Sequence, residues 1–162
     1  MKTEKATFGM GCFWHPQRVF DKIKGVVKTE VGFMGGKNYR ELSYENVCSG
    51  TTGHAEVIQI TFNPEIIFYE KLLEFFWKEH DPTMKNRQGL DFGDQYRSVI
   101  FYHDEKQKRI ALLSKKDHQK KFKSRIVTQL KKAGKFYRAE EYHQKYFEKK
   151  SKSKFQFISF LK

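Results

Sequence analysis

The chain has little with which to cross-link itself or enter a membrane. It carries only two cysteines, Cys12 and Cys48. Two such distant thiols give no disulfide framework, no paired zinc spacing and no Cys-x-x-Cys redox motif. No apolar run approaches the ~20 residues a membrane span requires. The start, MKTEKATFGMGCFW, lacks the basic-then-apolar pattern of an export leader. Free thiols without that pattern suit a reducing compartment, so a cytoplasmic protein is expected. Hydrophobic residues are also scarce, at 38%. What is present instead is phenylalanine: 16 of the 162 residues. Each ring buries a large area, so a core can close without many aliphatics, and disorder is not expected despite the charge. The length suits one domain spanning 1–162, with no internal repeat.

Charge is unevenly spread. Residues 1–104 hold 13 basic and 14 acidic side chains, whereas 105–162 hold 19 and 5, so the last third carries the whole excess of the net +13. One reading is a footprint for nucleic acid. No nucleic-acid motif accompanies it, and a solvated lysine-rich helix face with a frayed tail is the reading preferred here. Weak adhesion to polyanions at low salt is still expected.

Patterning gives the order β-α-β-β-α-β-α-β-α. Residues 5–10 read as a strand and 12–24 as a helix, with Pro16 confined to its first turn. Strands follow at 26–33 and 56–62, separated by a polar, turn-rich loop over 37–54. The stretch 68–78 is an amphipathic helix, 83–95 a second loop, 97–102 a strand and 104–123 a helix. A strand at 126–130 and a helix at 140–149 complete the chain. The expected class is α+β, a mixed sheet with packed helices around a ferredoxin-like split βαβ core with extensions.

Cys12 is the sharpest chemical candidate. It falls at a helix start, where the dipole and free N–H groups should lower its pKa, and Gly11 leaves room for a substrate. The rival reading is a free cysteine buried among rings. His80-Asp81-Pro82 offers a ligand pair, but no third or fourth ligand keeps suitable spacing, so no metal is expected.

Beyond Cys12, segments of the chain fall into a series: Gly9-Met10-Gly11-Cys12-Phe13-Trp14, then Tyr44 to Gly50, Gly53-His54-Ala55-Glu56-Val57, Phe76 to Pro82, Arg87 to Ser98, and Phe136 to Gln144. In this order they resemble the motifs of the A-type peptide methionine sulfoxide reductases, over residues 5–147. The resemblance implies reduction of methionine S-sulfoxide, free or in peptides, as protein repair. It makes Cys12 the nucleophile, Glu56 the general acid, and Tyr44 and Tyr96 donors to the sulfoxide oxygen. Phe13 and Trp14 would box the S-methyl group, and Asp91 would stand at the pocket rim. His54 is read as holding its loop by hydrogen bonds. No bound cofactor is implied, only an external reductant: thioredoxin, or a glutaredoxin or small-thiol system. A monomer is expected, with no specific nucleic acid and no membrane among its partners.

Two departures stand out. His15 follows Cys-Phe-Trp where the family commonly has Gly. The tail SKSKFQFISFLK has no resolving cysteine, which many members carry. Cys48 is the one other thiol able to resolve a sulfenic acid on Cys12; direct reduction by the external thiol system is the expected route. A nucleic-acid module and a single-cysteine peroxidase are the competing readings, and turnover of methionine sulfoxide by wild type against Cys12→Ser separates them.

Overall fold

The structure, a computed structural model, describes residues 1–160, and within them all side chains except those of residues 155 and 157–160. In chain order the elements are β1 (Glu4–Gly9), α1 (Trp14–Phe20), β2 (Val26–Met34), α2 (Tyr44–Cys48), β3 (Ala55–Phe62), α3 (Tyr69–Lys78), β4 (Arg87–Gln88) and β5 (Asp91–Phe92). They continue with β6 (Val99–Tyr102), α4 (Glu105–Gln119), β7 (Gln129–Lys132), β8 (Tyr137–Arg138) and α5 (Tyr146–Phe160). Short 3-10 turns lie at Asp94–Tyr96 and Glu141–His143.

Six strands form one sheet in the order β7-β6-β1-β3-β2-β8. The inner four, β6-β1-β3-β2, pair antiparallel in the ferredoxin-like order, and β7 joins β6 in parallel, so the sheet is mixed and the class is α+β. β3 is buried along nearly its whole length because both sheet faces are covered. Ile58, Ile60 and Phe62 point toward Phe20 of α1 and Leu72, Leu73 and Phe76 of α3. Val57 and Ala55 face the other way, with Met34, Val99 and Phe101. The rings do what the thin aliphatic content requires: Phe8 meets Phe76 at 5.1 Å between centroids. The spacing Tyr69, Leu72, Leu73, Phe76, Trp77 puts one face of α3 on this core.

Several local expectations need correction. Helix α1 is shorter than 12–24. The 37–54 segment is not all loop: α2 forms there, with a reciprocal capping box between Ser43 and Asn46. The strand expected at 126–130 begins at Gln129. The helix expected at 140–149 begins only at Tyr146, because Lys145 takes a left-handed conformation (φ +53°) that no helix continues through. It then runs on to Phe160 through most of what was read as a frayed tail; residues 161–162 lie outside the described part. Among the described residues no helix is long and apolar enough to cross a membrane.

Candidate active site

One end of the sheet gathers the candidate residues. β1 delivers Gly9, and the chain turns through Gly11 at φ +85°, a conformation that favours glycine. A Cβ there would lie 2.7 Å from Gln88 Cβ, so glycine is required for the Gln88 side chain to dock against this turn. Gln88 in turn holds Asp81 at both ends, accepting from its N–H and donating to its carbonyl at 2.9 Å each. Cys12 leaves this turn partly buried, immediately before α1.

Glu56 lies on β3 in line with Ile58, Ile60 and Phe62, a carboxyl in the terminal place of an apolar column, 1% exposed. Its Oε2 accepts the Phe13 backbone N–H at 3.1 Å, which ties the acid to the residue after Cys12. Its Oε1 is buried with no hydrogen-bond partner. Burial pushes the carboxyl up to about 8; the Phe13 N–H opposes this and the charge of Asp91 adds to it. Glu56 therefore holds a proton at neutral pH.

Cys12 behaves differently from the sequence expectation. Its thiol is pushed up to about 12, chiefly by burial. The Trp14 backbone N–H pulls the other way, while the charges of Glu56 and Asp91 raise it further. The helix-start effect is present, but α1 has only seven residues and desolvation outweighs it. The resting sulfur is a thiol.

Two phenols flank the carboxyl. Tyr44 stands in the first turn of α2, where Glu140 Oε1 accepts its backbone N–H at 3.0 Å. Tyr96 ends the 3-10 turn after β5, which Arg97 secures by donating to the Asp94 carbonyl at 2.9 Å and the Gly53 carbonyl at 3.0 Å. Burial first, and the nearby Glu56 charge among the other causes, raise both phenols, Tyr96 to about 12. Both stay protonated donors at neutral pH. The two phenols are close enough to act on each other, and the exposed Cys48 at the end of α2 is near enough to act on Tyr44.

Phe13 is 1% exposed and packs on Phe33, so its ring is a floor beneath this end of the sheet. Trp14 is partly exposed, stacked on Tyr146 with centroids 3.7 Å apart, and its indole N–H donates to His143 Nδ1 at 3.0 Å. Asp91, in the exposed β4–β5 hairpin, is near enough for its charge to bear on both Cys12 and Glu56. His15 pairs with Glu79 at 3.2 Å. The His54 ring accepts the Gly36 N–H and contacts the Lys37 carbonyl, pinning the loop before β3. His80 spends both ring nitrogens on Phe76 O and Ser98 Oγ. Sequence reasoning assigned no part to His143, Glu140 or Gln88. They lie inside quoted motifs, yet nothing in their local pattern says what they hold.

Residues 4–161 match the family model described as peptide methionine sulfoxide reductase. The chain belongs to that family. A peptide methionine sulfoxide reductase MsrA of Methanothermobacter thermautotrophicus is 55% identical over 148 residues, 90% of this chain and 87% of that protein. The crystal structure of Mxr1 from Saccharomyces cerevisiae in reduced form superposes with a TM-score of 0.86 at 38% identity, covering 91% of this chain and 86% of that one. Mxr1 in complex with Trx2 matches with a TM-score of 0.63 at 26% identity, over 90% and 85%. The protein is thus an oxidoreductase that reduces methionine sulfoxide. At the head of β3 and α1 this reductase carries the buried Glu56 carboxyl and the partly buried Cys12 thiol.

Proposed function

We propose that the whole chain is one catalytic domain reducing the S epimer of methionine sulfoxide, in peptides and as the free amino acid, with Cys12 as nucleophile and Glu56 as acid. The carrying observation is the Glu56 carboxyl: protonated at neutral pH, buried, with Oε1 unpartnered beside Cys12. A sulfoxide oxygen entering there accepts the Glu56 proton, with Tyr44 and Tyr96 donating hydrogen bonds as negative charge develops. Proton transfer makes the sulfur electrophilic, and Cys12 Sγ bonds to it. The S–O bond breaks, the oxygen passes to Cys12, and methionine leaves. The thiol proton replaces the one Glu56 gave away, so a thiol and a sulfoxide become a sulfenic acid and a sulfide with Glu56 restored. Trp14 and the Phe13 floor receive the S-methyl group, and Asp91 stands at the rim.

Regeneration falls to an external thiol reductant of the thioredoxin class, glutaredoxin and small thiols being alternatives, with no bound cofactor. The complex of Mxr1 with Trx2 supports this. Cys48 closes the same five-residue helix that Tyr44 opens, so moving it to Cys12 as an internal resolver would disturb a proposed oxygen-side donor. The reductase is proposed to work as a cytoplasmic monomer.

Incubation with racemic methionine sulfoxide tests the reading. Conversion should stop near half, and Cys12→Ser should abolish it. Consumption of both epimers would overturn the stereochemistry; full activity of Cys12→Ser would overturn the nucleophile.

A further inference from the structure

Away from the thiol, a cavity of about 310 Å³ opens between the 84–86 loop and the 125–129 segment. Its lining includes Lys85, Arg97, Lys115 and Arg125, with Asn86 and Ser98, and no carboxylate. The walls are pinned: Val127 N–H donates to the Pro82 carbonyl at 2.8 Å, and Gln129 N–H to the Ser98 carbonyl at 3.0 Å. Lys115 Nζ reaches across to donate to the Thr128 carbonyl at 2.7 Å, which uses one of its three donors. Arg97 is already committed to two carbonyls, with Asp94 nearby. Among the described residues, Lys85, Lys115 and Arg125 form no ion pair. Burial and the neighbouring Arg125 charge lower the Lys115 pKa. Lys85 and Arg125 are exposed and Lys115 half-buried; positive charges lining one cavity with no counter-charge among them repel one another, and a multivalent anion relieves that.

We propose that this cavity is a binding site for a phosphate-type oxyanion, free or carried as a monoester. A tetrahedral dianion presents acceptors in several directions at once, matching the Arg125 guanidinium and the Lys85 and Lys115 ammonium groups, which line the cavity from separate segments. The general basicity of the last third does not account for it, because the site draws Lys85 and Arg97 from the part of the chain with no excess positive charge.

The test is a titration of inorganic phosphate followed by ³¹P line width, at ionic strength held constant with chloride. A parallel titration uses a simple phosphate monoester. Three proteins are compared: wild type, the double variant Lys85→Gln/Arg125→Gln, and a charge-matched control, Lys2→Gln/Lys24→Gln. Saturable broadening in wild type and control, weakened about tenfold or more in the Lys85/Arg125 variant, is the expected result. Saturation with phosphate alone limits the ligand to the free ion, and saturation with both admits the monoester. Absence of saturation in wild type, or equal weakening in the variant and the control, overturns the site.

Discussion

At the scale of single residues, the proposed mechanism turns on where one proton sits. Glu56 titrates near 4.5 when unfolded and near 8 in place. Between those values the native state binds a proton that the unfolded state has lost, so stability falls as pH rises from about 4.5 to about 8. Glu56→Gln removes this dependence. Its melting temperature should overtake that of wild type at alkaline pH, measured by paired thermal melts. The same substitution keeps the shape but has no proton to give, so single-turnover reduction should slow by about 10²–10⁴-fold. An unchanged rate would take Glu56 out of the chemistry. Cys12 calls for a different measurement. With its thiol near 12, alkylation of the resting enzyme should be slow at pH 7 and climb about tenfold per unit through the alkaline range. A plateau reached below pH 8 would contradict the buried thiol. Glu56 was legible through the family resemblance of Gly53-His54-Ala55-Glu56-Val57, whereas the alternation alone reads as an ordinary strand carboxyl. The sequence pointed the wrong way for the thiol, because a helix start is visible in a sequence and the depth at which it lies is not.

At the scale of elements, the proposed oxygen-side donors depend on short structures that the rest of the chain holds in place. Helix α2 has five residues, too few to persist unaided, and the Ser43 cap and Glu140 clamp hold its first turn. Ser43→Ala should cost about 1 kcal/mol in local order and lower kcat/KM through misplacement of Tyr44. In the double variant Ser43→Ala/Tyr44→Phe, the cap should matter little beyond Tyr44→Phe alone, and full additivity of the two losses would disprove the coupling. Gly11→Ala combines a left-handed backbone with a clash on Gln88, so it should destabilise by roughly 1–3 kcal/mol and displace Cys12. This layer was the least legible. Ser43 and Asn46 sit in a polar stretch whose composition reads as loop, and β8 has two residues, too few for any periodicity. The ferredoxin-like order of the inner strands was legible, because residues 5–10, 26–33, 56–62 and 97–102 each carry an apolar pattern long enough to fix type and sequence.

At the scale of the molecule, charge and chemistry are separated. Cys12, Glu56, Tyr44 and Tyr96 all come from the part of the chain with nearly balanced charge, whereas the excess lies beyond residue 104, much of it on the exposed side of α4 and on α5. The protein should be retained on an immobilised polyanion at roughly 50 mM salt and released well below 0.5 M. Cys12→Ser should elute at the same salt concentration as wild type. A shift in elution with Cys12→Ser would mean that the reaction centre itself contributes to polyanion binding.

The partly buried, protonated thiol also bears on endurance. Peroxides attack thiolates, so a sulfur kept as a thiol reacts slowly with the oxidants that damage methionine in the first place. In the proposed mechanism methionine sulfoxide, by contrast, brings to Glu56 the acceptor that the unpartnered oxygen lacks, and so meets the sulfur with an acid already in position. With Cys12 as the proposed nucleophile, its depth would let a repair catalyst remain intact in the conditions that create its work.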